Sequence, residues 1–373
     1  MNNIERFSYC YGCGVCRRAC PHDAIDMNQN KNGFYQPIVN YDKCVDCGIC
    51  LDVCAFNDSE VLSCKDQSDN EFFGAWANDR EIRYKSSSGG VGYLIGKHLI
   101  ERGYKVCCVR YNSEKQRAEH FMAEDIESLG QSAGSKYIQS ETSTGFDLIN
   151  RKEKYLVVGT PCQIDSIRRF IRKFKVEENF VLVDFFCHGV PSPKVWQKYL
   201  QSLPQTEQDK TFSWRDKQNG WQDSWAISAE GYFSAASQGD SFFKMFFDHT
   251  CLGKACYLDC KYKLTNSAAD IRLGDLWGDK YKDQNDGVSA VIAFTAKGKA
   301  LIKSLEDCTI VKEDSIGVLN GQMAKSPALP LFYPLMMRCV RSNLSIDRTA
   351  KLCNMLQLPF RIKRRIKRLT RKK

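Results

Sequence analysis

The stretch CYGCGVCRRACP, residues 10–21, places four cysteines at intervals of three, three and four residues and follows the last with a proline. A second stretch, CVDCGICLDVCA at residues 44–55, repeats the same intervals. Short β-prone runs and the turn signal NQNKNG, residues 28–33, lie between the two. This part of the chain is therefore one structural unit that occurs twice.

The doubled cysteine pattern is typical of a bacterial ferredoxin domain with two 4Fe-4S clusters, in which the fourth cysteine of each quartet ligates the other half's cluster. The predicted ligands are Cys10, Cys13, Cys16 and Cys54 for one cluster and Cys44, Cys47, Cys50 and Cys20 for the second. A zinc site built from C-x-x-C pairs is the alternative, but it leaves one cysteine of each quartet without a role. The pattern has one departure, because Ala55 stands where a proline usually follows the fourth cysteine.

Length and cysteine content indicate the compartment. The chain has 373 residues, enough for two or three domains, and 19 cysteines, an odd number. Its first residues, MNNIERFSYC, lack the features of a secretory signal, and no run of 18 or more apolar residues follows. We expect a cytoplasmic protein whose reduced cysteines serve metal ligation or redox chemistry.

The formal net charge of +10 comes almost entirely from the C-terminus. Residues 361–373, RIKRRIKRLTRKK, contain nine basic residues and no acidic one, so the rest of the chain carries only +1. Nucleic acid is not an expected partner, because proteins that bind it more often carry the basic patch within the folded domain. Ile362, Ile366 and Leu369 recur at helical spacing, which predicts either a short amphipathic helix on an anionic membrane face or a solvated, frayed tail.

Beyond residue 62 the pattern changes to β-prone runs that alternate with helical ones. Residues 89–103 predict a helix, and residues 104–111 predict a strand in which Cys107 and Cys108 are buried as small apolar side chains. Two later units, which begin at residues 154 and 179, each combine an apolar strand, a cysteine-bearing loop and an amphipathic helix. Such units favour a parallel sheet with Cys162 and Cys187 at its carboxyl edge, and the predicted fold class is mixed α/β.

A third cysteine group follows in CLGKACYLDC, residues 251–260. Cys251, Cys256 and Cys260 stand at intervals of five and four. These intervals differ from the Cys-x-x-x-Cys-x-x-Cys pattern of radical enzymes that cleave S-adenosylmethionine, so that enzyme class is not expected.

Several motifs, in order along the chain, resemble those of the coenzyme F420 hydrogenase/dehydrogenase beta-subunit family. They are the ferredoxin pair, SSSGGV at 86–91, GTPCQI at 159–164, CHGVPSP at 187–193 and ADIRLGDLWG at 269–278. The resemblance covers essentially residues 1–340. It implies an iron-sulfur flavoprotein, in which a two-cluster ferredoxin-like domain precedes a larger α/β region that binds FAD.

The same resemblance implies a third 4Fe-4S cluster close to the flavin. Its implied ligands are Cys162, Cys187, Cys256 and Cys260, the last two because they precede KYK as the family's pair does. Three residues separate this pair where two are more common, so Cys251 remains an alternative ligand.

The flavin and substrate candidates surround these cysteines. SSSGGV precedes a helix and suits a pyrophosphate, although a plain helix N-cap is the simpler interpretation without the resemblance. With it, the candidate cofactor-binding residues are Ser87, Ser88, Gly89, Gly90, Thr160 and Gln163. His188 is either a proton donor during reduction or a hydrogen-bonding residue without a chemical role. Asp270 and Asp275 either orient the cluster loop or the flavin, or stabilise a turn.

The predicted function is an electron relay. Electrons pass from a reduced carrier such as ferredoxin, or from a partner oxidoreductase subunit, through the clusters to FAD and on to an organic substrate by hydride transfer. From the resemblance, the first choice of pathway is bacterial cell-surface polysaccharide biosynthesis, and the second is oxidoreduction of coenzyme F420. A non-catalytic electron-transfer subunit that docks to a partner enzyme is the alternative from another class.

The predicted organisation has four parts: a ferredoxin domain at 1–62, the N-terminal part of the beta-subunit-like region at 71–155, its C-terminal catalytic part at 156–345 and a basic tail at 346–373. Contact of the tail with an anionic membrane would place the protein at the membrane's inner face.

Overall fold

The computed structural model of the protein describes residues 2–62 and 70–370, with side chains as far as residue 358. These residues form a cysteine-rich N-terminal part, a nine-stranded sheet with helices on both faces, and a helical region beside the sheet. The predicted mixed α/β fold class is confirmed. Within the described residues, no helix has the length and apolar character needed to cross a membrane.

The N-terminal part has two similar halves. Its elements are α1 (Val15–Ala19), β1 (Ile25–Gln29), β2 (Tyr35–Val39) and α2 (Ile49–Asp52). The two strands pair antiparallel, as the β-prone runs predict. Each helix follows a glycine in the left-handed conformation, Gly14 with φ 76° and Gly48 with φ 78°. Glycine adopts this φ without a Cβ clash, so the chain turns sharply between the second and third cysteines of each quartet.

One sheet dominates the rest of the molecule. The strands after β2 are β3 (Glu71–Ala77), β4 (Lys105–Asn112), β5 (Arg117–Ala123), β6 (Ser140–Glu141), β7 (Tyr155–Val158), β8 (Phe180–Phe185), β9 (Ala226–Ala229), β10 (Tyr232–Ala235), β11 (Ile271–Asp275), β12 (Ser289–Ala293) and β13 (Cys308–Glu313). β9 and β10 form a separate hairpin, and the others form one sheet in the order β13-β3-β12-β11-β8-β7-β4-β5-β6. The four central strands, β11, β8, β7 and β4, are parallel, whereas most outer pairs are antiparallel.

The parallel centre of the sheet is where the sequence is most apolar. In β7 and β8, which read YLVV and FVLVDF, every residue except the last is buried, as expected for strands that are covered on both faces. Cys107 and Cys108 of β4 are also buried, so their predicted role as core residues is confirmed. The carboxyl ends of these strands meet at one edge of the sheet, which is the edge where α/β proteins bind ligands.

Helices cover both faces of the sheet and build the region beside it. After α2 they are α3 (Arg80–Lys85), α4 (Val91–Ile100), α5 (Ile126–Gly130), α6 (Ser143–Phe146), α7 (Pro161–Lys173), α8 (Pro193–Gln201), α9 (Gln205–Gln208), α10 (Ser241–Phe247), α11 (Lys254–Leu258), α12 (Ala296–Lys303), α13 (Ser315–Leu319), α14 (Tyr333–Arg341) and α15 (Ile346–Thr370). Residues of α4 and α7 belong to two different core clusters of the sheet. Val15, Ala19 and Val53 share the cluster of α7, so the N-terminal part packs directly on that helix.

The helical region has an aromatic core. Trp196 of α8 lies with its ring centroid 4.6 Å from that of Trp214 and stacks on Tyr199 at 5.4 Å. α8, α10, α14 and α15 all contribute buried residues to this core. Because α15 packs here through its first turns, the C-terminal segment begins as part of the folded body.

Two predictions concern the positions where β7 and α7 begin. Cys162 lies in the first turn of α7 and not in a loop, because Pro161 starts the helix and Thr160 and Gln163 cap it. The predicted boundary between 155 and 156 falls at the first residue of β7, and both flanking ranges contribute strands to the same sheet. The two ranges are therefore parts of one structural unit.

Candidate functional site

The thiols predicted for the first cluster lie together. Burial, and then the neighbouring thiols of Cys13 and Cys54, raise the pKa of Cys10 to about 12. Burial also raises the pKa of Cys16, with added contributions from Cys13, Cys10 and Cys54. Cys54 follows α2 and belongs to the second quartet, so the structure brings it to the first quartet as the pattern predicts. Thiols that are this close together and this well shielded from solvent stay protonated unless metal cations, such as iron, displace the protons.

The second predicted group lines a cavity of its own in the N-terminal part. Cys20, Cys44, Cys47 and Cys50 line a small cavity against apolar neighbours. Burial raises the pKa of Cys50, and the thiols of Cys47 and Cys20 add to the shift. Asn3 Nδ2 lies 3.9 Å from Cys44 Sγ and donates toward it. Cys47 is exposed, so this group reaches the protein surface.

Among the described residues, no three His, Cys, Asp or Glu side chains are arranged to hold one metal ion. A 4Fe-4S cluster contains four irons and four sulfides, so its thiolate ligands stand further apart than the ligands of one zinc ion.

A third group of thiols lies at the carboxyl edge of the sheet. Burial raises the pKa of Cys162, and the thiols of Cys187 and Cys256 contribute to the shift. Burial, then Cys187 and Cys260, raise the pKa of Cys256 to about 12. The structure therefore brings together residues from α7, from the loop after β8 and from the α11 segment, which are distant in sequence. Cys251 is elsewhere: it lies beside Cys353 of α15 in the aromatic core.

The first and third groups approach each other across α7. Cys13 is among the thiols that raise the pKa of Cys162. Ser166, one turn after Cys162 on α7, lies with its Oγ 3.3 Å from Cys13 Sγ and accepts a hydrogen bond from the Ala55 N–H at 3.2 Å. Both contacts are to the N-terminal part, so α7 connects the ferredoxin-like part to the sheet next to the thiols of Cys13 and Cys162.

A cavity of ≈ 860 Å³ opens between these thiol groups and the sheet edge. Cys10, Cys162, Cys187 and Cys256 border it. The predicted cofactor and substrate residues that line it are Ser87, Ser88, Gly90, Thr160, Gln163 and His188. Gly89 does not line the cavity, because its backbone packs on the sheet and its N–H donates to Ser289 Oγ at 3.0 Å. The cavity thus collects most of the candidates that the motifs indicate.

The serine-glycine turn that leads into α4 is held in place by side chains from other parts of the chain. Ser88 Oγ donates to the Val288 carbonyl at 2.6 Å, and Ser87 Oγ accepts from the Ser135 N–H at 2.7 Å. Lys217 Nζ donates to the Ser88 carbonyl at 2.8 Å. Gly90 takes φ 85°, which a residue with a Cβ rarely adopts. The turn is therefore held in one conformation immediately before the N-terminus of α4.

Two predicted residues cap α7 next to the third thiol group. Gln163 Oε1 accepts from the Thr160 N–H at 2.8 Å and from its hydroxyl at 2.9 Å. Thr160 Oγ1 also lies 3.3 Å from Cys162 Sγ. Because the Thr160 hydroxyl donates its proton to Gln163, it accepts from the Cys162 thiol, and the cap that starts the helix also contacts a predicted ligand.

His188 lies in the cavity wall as a neutral imidazole. Its ring stacks on Phe246, with centroids 6.3 Å apart and planes 10° apart. Burial, then the positive charges of Lys263 and His249, lower the pKa of His188 to about 4. The side chain can therefore exchange hydrogen bonds at neutral pH without carrying charge, and a role in proton transfer stays a prediction.

Family comparisons agree with this arrangement of motifs along the chain. The family described as coenzyme F420 hydrogenase/dehydrogenase, beta subunit, is matched in two parts, its N-terminal part by residues 72–145 and its C-terminal part by residues 152–317. Residues 9–57 match the 4Fe-4S dicluster domain. The chain belongs to the coenzyme F420 hydrogenase/dehydrogenase beta-subunit family.

Curated relatives of this beta-subunit family member differ in size. It is 24% identical over 252 residues to coenzyme F420 hydrogenase subunit beta of Methanococcus voltae, which is 65% of this chain and 83% of the relative. It is 24% identical over 176 residues to the coenzyme F420-dependent sulfite reductase of Methanocaldococcus jannaschii, 45% of this chain and 26% of the relative. Ferredoxin-type protein NapF of Haemophilus influenzae is 36% identical over 59 residues, 16% of this chain and 32% of NapF.

A solved structure shares the fold. A chain of the F420-reducing NiFe hydrogenase complex from Methanosarcina barkeri superposes with a TM-score of 0.50 at 16% identity, over 76% of this chain and 90% of that chain. At this identity the likeness concerns the fold alone. Together the comparisons assign this family member to an oxidoreductase-type family with a 4Fe-4S electron-transfer domain.

The motifs of this beta-subunit family member do not include the basic residues of the cavity. Lys31, Lys136, Arg215 and Lys254 line it, and Asp275 is the one acidic side chain among the described lining residues. Arg215 pairs with Asp275 at 2.8 Å. Burial lowers the pKa of Lys136 to about 8, and its Nζ donates to the carbonyls of the 132–134 loop. The excess of cations suits an anionic ligand.

Proposed function

We propose that this chain is an iron-sulfur flavoprotein oxidoreductase that relays electrons from a reduced carrier through three 4Fe-4S clusters and FAD to an organic substrate. One observation carries the proposal: a single cavity is bordered by Cys10, by Cys162, Cys187 and Cys256, and by the turn before α4. A molecule bound in it would contact thiols of two groups and a helix start at once. Its volume of ≈ 860 Å³ lies within the range of cofactor sites.

The cluster ligands that we propose follow the three thiol groups. They are Cys10, Cys13, Cys16 and Cys54, then Cys44, Cys47, Cys50 and Cys20, and finally Cys162, Cys187, Cys256 and Cys260. Cys256 and Cys260 are preferred over Cys251 because they lie with Cys187, whereas Cys251 pairs with Cys353 in the core.

The cavity offers groups that fit a flavin nucleotide. Bound FAD would supply the conversion between the one-electron transfers of clusters and the two-electron transfer of a hydride. Ser87, Ser88 and Gly90 would present the start of α4 to the pyrophosphate, because the first turn of a helix has unpaired N–H groups and a positive dipole end. Lys136 and Arg215 would add positive charge, and Thr160 and Gln163 would hold the cavity wall beside Cys162.

His188 is the candidate that we propose for proton handling at the substrate. Its pKa near 4 means that the imidazole would be neutral at pH 7 and would accept a proton only as it passes another one on. Stacking on Phe246 fixes the plane of the ring at the cavity wall. The residue would therefore orient a substrate polar group and would act as a relay and not as a standing acid.

The donor would be a small carrier protein such as ferredoxin, or a partner oxidoreductase subunit, in a reducing compartment. For the substrate, we propose an intermediate of bacterial cell-surface polysaccharide assembly, from the resemblance of the motifs. Coenzyme F420 is the second candidate substrate, which family membership favours.

Metal and flavin analysis tests this proposal directly. The protein is purified without oxygen, and iron, sulfide and flavin are measured per chain. Twelve iron atoms, twelve sulfides and one FAD are expected, roughly, for three clusters and one flavin. Eight iron atoms would remove the third cluster. Twelve iron atoms without flavin would favour a non-catalytic electron-transfer subunit.

A matched pair of variants tests the third cluster. Cys162→Ser removes a proposed ligand, and Cys251→Ser removes a neighbouring thiol that we place outside the cluster. We expect the first variant to lose about four iron atoms and the second to keep all of them. Equal loss in both variants, or loss only in Cys251→Ser, would contradict the ligand assignment. Reduction of F420 or of sugar-nucleotide substrates by the flavin-loaded protein then separates the two substrate candidates.

A further inference from the structure

The C-terminal helix α15 has an apolar side that the protein body does not cover. Ile346 and Cys353 are buried where α15 packs on the helical region. Leu352, Met355 and Leu358 are exposed by 38%, 61% and 54%. With 3.6 residues per turn, Met355 lies about 200° around the helix from Cys353, so the exposed side chains occupy the opposite side.

The sequence continues this apolar side into the basic tail. α15 remains helical to Thr370, although the side chains beyond residue 358 lie outside the described part. Apolar positions succeed one another at intervals of 3, 3, 4, 4 and 3 residues: Leu352, Met355, Leu358, Ile362, Ile366 and Leu369. These intervals keep one side of an α-helix, so the six positions form one apolar stripe along α15.

Positive charge accompanies the stripe. Residues 361–373 contain nine basic residues and no acidic one, while the other 360 residues together carry only +1. On a helix, the basic positions between Arg361 and Arg368 fall on the sides that the stripe leaves free. An apolar stripe flanked by Lys and Arg is typical of helices that lie in the headgroup region of anionic bilayers.

We propose that α15 is a docking helix that binds the surface of an anionic membrane through the apolar stripe and the basic tail. The charge asymmetry selects this occupant, since nine cations at one end of a near-neutral body match a surface of anionic lipids. The first turns of α15 stay packed on the body through Cys353 and its neighbours, so binding would use the exposed side of the helix without unpacking it. This inference does not depend on the proposed cofactors.

Vesicle binding of the full chain tests the proposal. Sedimentation is measured with phosphatidylcholine vesicles, with vesicles that also contain phosphatidylserine, and at rising salt. We expect binding to the mixed vesicles, loss of binding at high salt and weak binding to neutral vesicles. Replacing two cations, Arg364→Ser with Arg365→Ser, should weaken binding about tenfold or more.

A matched pair of apolar variants tests the stripe itself. Met355→Ser removes an exposed side chain from it, and Ile316→Ser removes a side chain of α13 that is 81% exposed and outside the stripe. Burying most of a Met side chain in the membrane predicts that Met355→Ser binds about tenfold more weakly. Ile316→Ser should bind within about twofold of the unmodified chain.

Three results would overturn the proposal: equal binding to neutral and anionic vesicles, equal effects of Met355→Ser and Ile316→Ser, or a Met355-dependent dimer without vesicles. The last result would mean that a second copy of the chain covers the stripe. Far-UV circular dichroism of each variant establishes that the fold is retained, which is expected because both side chains are exposed.

Discussion

Ser166 is predicted to raise the reduction potential of the first cluster. Its hydroxyl oxygen accepts the Ala55 N–H, so its own proton is free to point to Cys13 Sγ, 3.3 Å away. Ser166 is fully buried, so no water competes for this contact. With iron bound, Cys13 would be a thiolate and Ser166 the donor. A donated hydrogen bond stabilises the reduced, more negative cluster more than the oxidised one.

The size of the effect follows from the strength of such hydrogen bonds. A hydrogen bond to a charged group contributes about 1.5–3 kcal/mol, and only the difference between the two redox states affects the potential. If about 1–2 kcal/mol of it is specific to the reduced state, Ser166→Ala lowers the potential by about 40–90 mV, because a one-electron couple shifts by about 59 mV per tenfold change. The variant should also be less stable, since the Ala55 N–H loses its acceptor.

The assay is an anaerobic potentiometric titration followed by electron paramagnetic resonance of the reduced clusters. The control is Ser192→Ala, which also removes a fully buried hydroxyl but one that donates to the Asn32 carbonyl, away from the thiols. We expect one cluster to shift in Ser166→Ala and none in Ser192→Ala. An unchanged potential, or an equal shift of all clusters in both variants, would refute the reasoning.

Three further predictions concern buried groups of the sheet and of the cavity region. Lys217→Met removes three hydrogen bonds, of 2.6–2.8 Å, to the carbonyls of residues 83, 88 and 286. In a urea titration it should lower the free energy of unfolding by about 3 kcal/mol, and it should also weaken flavin retention. The control Lys280→Met, at an exposed lysine, should cost about 0.5 kcal/mol or less. Gly89→Ala places a Cβ 2.3 Å from the Ala75 carbonyl oxygen and should lower the free energy of unfolding by about 2–3 kcal/mol. The control Gly130→Ala has no atom within 4 Å of the added Cβ and should leave stability nearly unchanged. Similar melting temperatures of the two variants would contradict this prediction. Burial lowers the pKa of His120 to about 4, so between pH 6.5 and pH 4 only the unfolded chain binds the extra proton. The free energy of unfolding should therefore decrease by about 3 kcal/mol as the pH is lowered across this range. Unfolding of His120→Gln should lack this part of the pH dependence, and an unchanged pH dependence would count against the prediction.

The cysteine groups were the part of the site that the sequence could predict. Ligands of one cluster come at fixed local spacings, so Cys10, Cys13 and Cys16 are recognisable without a structure. The assignment of Cys54 to the cluster of the first quartet is also predictable, because in two-cluster ferredoxin domains the fourth cysteine of each quartet ligates the cluster of the other half. The strand-loop-helix units likewise predict that Cys162 and Cys187 meet at one sheet edge, since parallel strands end on the same side.

The remaining cavity residues could not be predicted in this way. Arg215 and Lys217 lie in segments without periodicity, and their contacts with Asp275 and Ser88 join residues that are far apart in the sequence. Lys136 also lies outside the motifs, and carbonyls of its own loop hold it at the cavity. Gly89 shares a motif with the lining residues, yet its backbone faces the sheet because its N–H bonds to Ser289. The antiparallel pairing of β3 with β12 and β13 is also a long-range feature, because β3 lies far before both strands in the sequence.

In the proposed relay, the second thiol group is the end at which electrons enter. Cys47 of that group is exposed, so a carrier protein can approach it, whereas Cys10 of the first group borders the cavity. From there α7 provides the connection, because Ser166 touches Cys13 while Cys162, four residues earlier, belongs to the third group. Four residues of helix rise about 6 Å, so the first and third thiol groups contact the same short stretch of α7. Because Cys162 itself lies on α7, loosening this helix should disturb the third cluster together with transfer between the clusters.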